Sequence, residues 1–236
     1  MSKIILLLFT MFPLFSFFAD EKVQSDAEKW VKSYDGQVIK TEGKITTIMI
    51  RDGSGIKNLK ALENLKSLKM LSIVNSDISD LRPLANLENL ENIRFHSFTD
   101  SNKASDIIDL SSLKGLKKLT GITIGNAKLS DLTPLKDMKT LTSINITETN
   151  VEDLSPLKNL VNLKILNISK TKVKDLTPLK SLTKLEKLVL TSTEISDLSP
   201  LKGLTMLDDL LVDETKVSAE EILKLKKALP YCIIRK

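Results

Sequence analysis

A chain of 236 residues can form one large domain or an array of repeats, and its formal net charge of +5 is mild for that length. Such a charge does not indicate nucleic-acid binding, and no nucleic-acid partner is expected. Hydrophobic residues make up 42% of the chain but aromatic residues only 4%, so the core must be aliphatic. The single cysteine, Cys232, excludes an intrachain disulfide, and stability must therefore come from packing.

Residues 1–19 are predicted to be a secretory signal peptide. Residues 4–18 carry no charge and follow the basic residue Lys3, which is typical of such a signal. A membrane-spanning helix would need roughly 20 apolar residues, and Pro13 interrupts this shorter segment. We expect cleavage near Ala19 and an exported mature chain that is secreted, held at the cell surface or located in the periplasm. The alternative is an uncleaved N-terminal anchor.

Residues 20–44 are predicted to form an N-terminal cap helix and the lead-in to the first strand. Val23, Ala27, Trp30 and Val31 recur at helical spacing. The segment KITTIMI follows and predicts a strand. The helix would then cover the first turn of whatever the rest of the chain builds.

Residues 45–217 contain a repeat of 22 residues. An aspartate recurs every 22 residues from Asp109 to Asp197, and Asp80 precedes Asp109 by 29, so seven extra residues lie between those two. Leucine at every third position of each copy suits a tight helical segment with three residues per turn. An L-x-[IL] pair with a period of two follows and predicts a short strand. One such unit cannot bury its leucines alone, whereas stacked copies bury them in a continuous core.

The full pattern, L-x-x-L-x-x-L-x-[IL]-x-x-[ST]-x-[IV]-x-D-L-x-P-L, resembles the leucine-rich repeats of bacterial internalins and of a protein phosphatase regulatory subunit built on the same repeat. The resemblance implies an α/β fold, a leucine-rich repeat solenoid of seven to eight copies. In it, a parallel sheet would form the concave face and short 3-10 segments the convex face of a right-handed coil, with a helical cap at each end. The asparagine common in such repeats is here mostly a hydroxyl residue, which can still bond a buried backbone group. These positions are Ser76, Thr149, Thr171, Thr193 and Thr215, with Ala127 as the exception.

Residues 218–236 are predicted to be a C-terminal cap helix and a final strand. Ser218 with Glu221 fits a capping box at the start of the helix. Ile222, Leu225 and Leu229 form an apolar stripe along it, and the segment YCIIRK can add the strand.

Two charged columns recur with the repeat. Stacked copies would place the aspartates roughly 5 Å apart, and such a ladder could bind Ca²⁺. The favoured interpretation is structural, since an aspartate before a helical turn caps its free amides, and no metal or cofactor is expected. A lysine lies five residues after each aspartate from Asp109 to Asp197, on the convex side, where nearby acids should balance it; an anionic lipid or polyanion is the alternative partner. These lysines are Lys114, Lys136, Lys158, Lys180 and Lys202.

The concave face and the seven-residue insertion, within residues 96–106, are the predicted binding regions. Leucine-rich repeat families usually bind partners on the concave face, and insertions into a repeat often map to a binding edge. The candidate binding residues are Arg94, His96, Phe98, Thr123, Asn145, Asn167, Lys187, Val189 and Leu211.

The predicted function is an exported, non-catalytic protein-protein interaction module with a host or envelope protein as its partner. No motif of a hydrolase, metalloprotease or nucleotide-binding enzyme is present in the sequence, and no catalytic residue is assigned. We expect a monomer with no specific lipid ligand. The alternative is a cytosolic phosphatase-type regulatory subunit, which requires that the N-terminus not act as a signal.

Overall fold

The computed structural model describes residues 19–97 and 105–236. The signal segment therefore lies almost entirely outside the described residues, and Phe98 lies outside them as well. Helix α1 covers residues 19–32 and helix α2 is Ala219–Ala228. The strands are β1 (Gln37–Thr41), β2 (Lys44–Ile50), β3 (Met70–Val74), β4 (Asn92–His96), β5 (Gly121–Gly125), β6 (Ser143–Asn145), β7 (Ile165–Asn167), β8 (Lys187–Val189), β9 (Asp209–Leu211) and β10 (Ile233–Arg235).

The described strands form a ten-stranded sheet in chain order from β1 to β10. β1 pairs with β2 antiparallel, and every later pair is parallel. Equivalent positions of successive repeats lie side by side, for example Ile93 next to Ile122 and Ile122 next to Ile144. The insertion between β4 and β5 leaves this register unchanged.

Short 3-10 segments run along the side opposite the sheet, and they account for the three-residue leucine period. In the repeat around Asp153, the amides of Leu157, Leu160 and Leu163 each donate to the carbonyl three residues earlier at 2.8–2.9 Å. This repeated i to i−3 bonding points every third side chain inward, and all three leucines are fully buried. The segments are η1 (Lys60–Leu62), η2 (Arg82–Leu84), η3 (Ser111–Leu113), η4 (Thr133–Leu135), η5 (Ser155–Leu157), η6 (Thr177–Leu179) and η7 (Ser199–Leu201).

The core is one continuous aliphatic stack, as the composition predicts. Phe95 fills the core position of its strand and is 2% exposed. The hydroxyl column also acts as predicted, because each threonine donates to the carbonyl three residues earlier at 2.6–2.8 Å. These donors are Thr149, Thr171, Thr193 and Thr215.

Both ends of the stack are covered. Ala27 and Val31 of α1 pack into the core, and the buried Gln24 accepts a hydrogen bond from the Ile45 amide at 2.7 Å. At the other end, Ser218 accepts a hydrogen bond from the Glu221 amide at 3.1 Å, which confirms the predicted helix cap. Strand β1 was not predicted; it folds back on β2 and covers a sheet edge that would otherwise expose unpaired backbone groups.

The architecture is the capped solenoid predicted from the 22-residue period. A mostly parallel sheet lies on one side, 3-10 turns lie on the other, and a helix covers each end. None of the helices in the described part of the chain has the length and apolar character needed to cross a membrane.

Candidate binding surface

The outward face of the sheet, called the concave face below, carries the side chains that alternate with the buried ones. In β4, Ile93 and Phe95 point into the core, while Asn92, Arg94 and His96 point outward. The parallel register then aligns outward residues of neighbouring strands in rows. Six of the predicted binding residues lie in one row across β4 to β9: Arg94, Thr123, Asn145, Asn167, Val189 and Leu211.

The two other described candidates, His96 and Lys187, lie in the rows on either side of this central row. Their strand partners are Gly125 and Asp209. Phe98, the remaining candidate, has no described position. The structure thus gathers eight of the nine predicted residues on one surface.

The middle of the concave face, from β5 to β7, is uncharged. Its asparagine side chains already accept hydrogen bonds from backbone amides two residues later. The Asn145 carboxamide oxygen accepts a hydrogen bond from the Thr147 amide at 3.1 Å. That of Asn167 accepts from the amide and the hydroxyl of Ser169, at 2.9 and 2.7 Å. These bonds resemble Asx turns and leave mainly the amide NH₂ groups for a partner.

Strand β5 is covered by side chains from β4. A β-carbon built on Gly121 would come within 2.1 Å of the Asn92 side-chain oxygen, and one built on Gly125 within 2.2 Å of His96 Nδ1. Burial lowers the pKa of His96, the positive charge of Arg94 lowers it further, and Glu148 opposes both effects. His96 is therefore a neutral, half-buried side chain at pH 7. Glycine inside a strand is the sequence signal of such close packing, and the sequence analysis did not use it.

The C-terminal part of the concave face holds a charged group in which two cations contact one carboxylate. The carboxylate of Asp209 lies 2.7 Å from Lys187 Nζ and 3.1 Å from Arg235 Nη2. Its side chain is only 17% exposed, so the two cations largely enclose it. Lys187, which was predicted as a binding residue, is thus already in contact with a carboxylate, which it shares with Arg235.

The N-terminal part of the concave face forms a depression of about 360 Å³ with two arginines on its rim. Arg94 was predicted, whereas Arg51 follows directly after β2 and was missed. In residues 19–97 and 105–236, neither arginine has a carboxylate oxygen within 4 Å, in contrast to Lys187 and Arg235. The lining residues are Asp35, Gln37, Met49, Ile50, Arg51, Ser72, Val74 and Arg94.

The aspartate column is structural. The carboxylate of Asp153 accepts hydrogen bonds from the Ser155 amide at 2.7 Å and from the Ser155 hydroxyl at 2.6 Å. The hydroxyl bond and then the amide bond lower the pKa of Asp153. The geometry corrects one detail of the prediction: the N-cap residue of η5 is Leu154, and Asp153 lies one residue earlier and closes an Asx turn.

Every other aspartate of the column makes the same amide contact, at 2.7–2.9 Å, and Asn58 makes it in the first repeat at 3.2 Å. The described residues contain no group of three or more His, Cys, Asp or Glu side chains placed to hold a metal ion.

The lysine column is exposed on the convex side, where each lysine ends a 3-10 segment. No carboxylate oxygen of the described residues lies within 4 Å of these lysines. The aspartate column runs beside them, and the charge of Lys114 contributes to lowering the pKa of Asp109 and of Asp131. The two columns therefore balance each other in charge, as predicted.

The insertion leaves the sheet directly after His96 and rejoins the backbone ladder at Ser105. The Ser105 amide donates to the Asn126 carbonyl at 2.7 Å, and its hydroxyl donates to the Ile78 carbonyl at 3.1 Å. Ser97 and Ser105 are both buried. The two ends of the insertion are thus anchored beside the concave face, at the carboxyl ends of β4 and β5.

Comparisons with known proteins agree with this architecture. A family model described as leucine-rich repeats in two copies matches residues 161–203. A search of curated proteins gives no match. Among solved structures, internalin C2 from Listeria monocytogenes is similar at 26% sequence identity, with a TM-score of 0.71 and 80% of each chain covered.

Two further solved structures share the fold. The internalin inlF from Listeria monocytogenes has 28% identity and a TM-score of 0.66, with 76% of this chain and 50% of that chain covered. A leucine-rich repeat protein of Leptospira interrogans has 22% identity and a TM-score of 0.61, with coverages of 76% and 52%. The chain spans about half the length of these two proteins.

Proposed function

We propose that this chain, an internalin-like leucine-rich repeat protein, is an exported and non-catalytic module that binds a protein partner on its concave face. The observation that carries the proposal is the alignment of outward side chains across β4 to β9 on a rigid, continuously packed stack. Stacked repeats of this kind create extended surfaces suited to another protein. The partner is expected among host or envelope proteins.

The reactive side chains have structural environments that favour a non-catalytic role. The column aspartates are engaged by backbone amides, and His96 is packed over Gly125. Burial, with a smaller effect from Asp208 and Asp209, raises the pKa of the Cys232 thiol to about 11, so almost no thiolate forms at pH 7. These three features support a binding module over a hydrolase.

Export is the second part of the proposal, and it is supported by the basic start and apolar segment of residues 1–19 and by the similarity to internalins. The alternative, a cytosolic phosphatase-type regulatory subunit, shares the repeat pattern and requires an intact N-terminus. N-terminal sequencing of the protein from cell fractions distinguishes the two. A chain that begins near Asp20 in the exported fraction supports export, and an intact chain confined to the cytosol overturns it.

The binding surface is tested by a matched pair of substitutions. Val189 is half-buried in the central row of the concave face, whereas Val161 is 45% exposed and precedes β7 outside that face. We expect Val189→Arg to abolish capture of the partner from host or envelope extracts, and Val161→Arg to leave capture unchanged. Equal capture by both variants, with unchanged circular dichroism, would contradict the assignment of the concave face.

A further inference from the structure

We infer that the N-terminal depression of the concave face is a subsite for an acidic side chain of the partner protein, with the carboxylate held between Arg51 and Arg94. The inference rests on the proposed function and adds the chemistry of the ligand. It follows from the register of the strands, the charge balance of the face and the apolar floor between the arginines.

The register places the two arginines on opposite sides of one shallow basin. Met49, Ser72 and Arg94 are lateral neighbours on β2, β3 and β4, with about 4.8 Å between adjacent strands. Arg51 lies two residues beyond Met49 and Val74 two residues beyond Ser72, so both belong to the next row. A group bound over Ser72 and Val74 therefore lies between the backbone positions of the two arginines, which both line the depression.

The arginines of this basin lack the carboxylate contacts that the cations at the other end of the face have. Arg51 and Arg94 are exposed, and no described carboxylate oxygen lies within 4 Å of either. At the other end of the face, Lys187 and Arg235 share Asp209 at 2.7 and 3.1 Å. Asp35 lies on the rim of the basin, so the lining carries a net charge of +1 from two arginines and one aspartate. An anionic group is the complement that this end lacks.

Arginine suits an anion with two parallel acceptor oxygens. Its planar guanidinium donates two parallel N–H bonds to a carboxylate or a phosphate, a geometry that lysine cannot provide. In an unmodified protein partner that anion is the carboxylate of Asp or Glu.

The floor of the basin adds an apolar requirement. Met49 and Val74 are half-buried and line the depression together with Ser72. Methionine adapts its shape to a bound aliphatic or aromatic group. The preferred ligand is therefore a segment in which Glu or Asp stands beside an apolar residue.

The probe is an N-acetylated, C-amidated Leu-Glu-Glu-Leu peptide, compared with Leu-Gln-Gln-Leu and with a peptide that carries phosphoserine in place of both glutamates. Binding to the full chain is followed by NMR through the Met49 methyl and the arginine Nε–H resonances. We expect saturable shifts with the glutamate peptide, at least tenfold weaker binding of the glutamine peptide, and weakening by salt. Equal binding of the glutamine peptide, no saturable shift, or binding of the phosphoserine peptide alone would each overturn the carboxylate assignment.

Three substitutions test the inference: two are expected to weaken peptide binding and one to strengthen it. Arg51→Gln and Arg94→Gln should each weaken the glutamate peptide about tenfold, because each removes one charged pair of donors. Asp35→Asn should tighten binding a few-fold, because it removes the competing carboxylate, and asparagine tolerates the positive φ of 50° at this residue. Arg235→Gln is the control, since its charge is already shared with Asp209, and it should leave peptide affinity unchanged.

The outcomes separate this inference from the proposed function. If the peptide fails to bind while Val189→Arg still abolishes partner capture, the acidic subsite is wrong and the interaction module stands. If partner capture is insensitive to every substitution on the concave face, the proposed function is wrong. Peptide binding would then not reflect a partner bound on this face.

Discussion

The imidazole of His96 on β4 lies across the backbone of Gly125 on β5, and a β-carbon at Gly125 would come within 2.2 Å of Nδ1 and 2.9 Å of Cε1. The methyl group of Thr147, two residues after β6, would be 3.1 Å away. A side chain from one repeat thus fills the space that the next repeat leaves empty. The contact joins β4 and β5, the two strands that flank the insertion.

This contact predicts that Gly125→Ala destabilises the protein by about 1–3 kcal/mol, the usual range for overpacking. An imidazole is rigid and its ring must move as a unit, so relief by a small rotation is restricted. In a His96→Ala background the same substitution should cost much less, and the double-mutant cycle isolates the clash. The measurement is urea unfolding followed by circular dichroism.

Gly203→Ala provides the control for the backbone effect of replacing glycine. Gly203 is exposed, and nothing lies within 4 Å of a β-carbon added there. We expect Gly203→Ala to be neutral or to stabilise by up to about 1 kcal/mol through the unfolded chain. An equal cost of Gly125→Ala with and without His96 would contradict the proposed packing.

The Asx turns predict a difference between alanine and asparagine at the column aspartates. Asp153→Ala removes the acceptor of the Ser155 amide and should cost about 1 kcal/mol, within the range of lost helix caps. Asp153→Asn keeps a carboxamide oxygen that can accept this bond, as Asn58 does in the first repeat. Thermal unfolding of the two variants should place asparagine close to the wild type. Equal losses would assign the effect to the charge and not to the turn.

The same aspartates predict a stability that falls in acid. Hydrogen bonds lower the pKa values of three column aspartates. For Asp109 and Asp197, the larger effect comes from the amide of the serine two residues later and the smaller from its hydroxyl. For Asp131, the Thr133 hydroxyl has the larger effect and the Thr133 amide the smaller. A carboxyl with a lowered folded-state pKa contributes stability that is full above the unfolded value of 3.8 and is lost as the pH falls through the folded pKa.

We therefore expect the urea midpoint to fall as the pH is lowered through about 4, with less loss in a triple Asp→Asn variant at 109, 131 and 197. Above about pH 6 the triple variant should be no more stable than the wild type, and the two curves should converge as the carboxylates protonate. Parallel curves at all pH values would mean that other groups carry the acid sensitivity.

The repeat architecture was predictable because each of its signals is local. The three-residue leucine period follows directly from the i to i−3 bonds of the turns, and the role of Asp153 depends on a residue only two positions away. The rows of the concave face followed from the 22-residue period together with strand alternation. Phe95 was assigned to the core by the same alternation.

The features that were missed depend on contacts between repeats or on departures from the pattern. The enclosure of Asp209 requires Lys187 from the preceding strand and Arg235 from the cap, which no single repeat contains. Arg51 follows directly after β2, before the leucine pattern begins, so the repeat register did not point to it. Strand β1 has no apolar alternation that would distinguish it from a loop; its burial is slight along its whole length.

The last prediction concerns one position of the repeat, one residue after β3 and β5 and three residues after β6 to β9, where the backbone is left-handed. Its φ lies between 50° and 58° in six described repeats, at Asn75, Asn126, Glu148, Lys170, Ser192 and Glu214. For an L-residue other than glycine or asparagine, this conformation costs roughly 1–2 kcal/mol. Glycine removes that cost but loses about 0.5–1 kcal/mol through the greater freedom of the unfolded chain. The difference, between about 0 and 1.5 kcal/mol, favours glycine.

Ser192→Gly should therefore be neutral or should raise the free energy of unfolding by up to about 1.5 kcal/mol. The hydrogen bond from the Ser192 hydroxyl to Glu214, at 2.5 Å, is exposed and adds little. Ser196→Gly is the matched control, since Ser196 is exposed in the same repeat and has no positive φ, and it should cost about 0.5–1 kcal/mol. Urea unfolding of both variants measures the difference. If the two substitutions cost the same, backbone strain at the strand ends does not shape this repeat, and the serine at 192 is held there by its bond to Glu214.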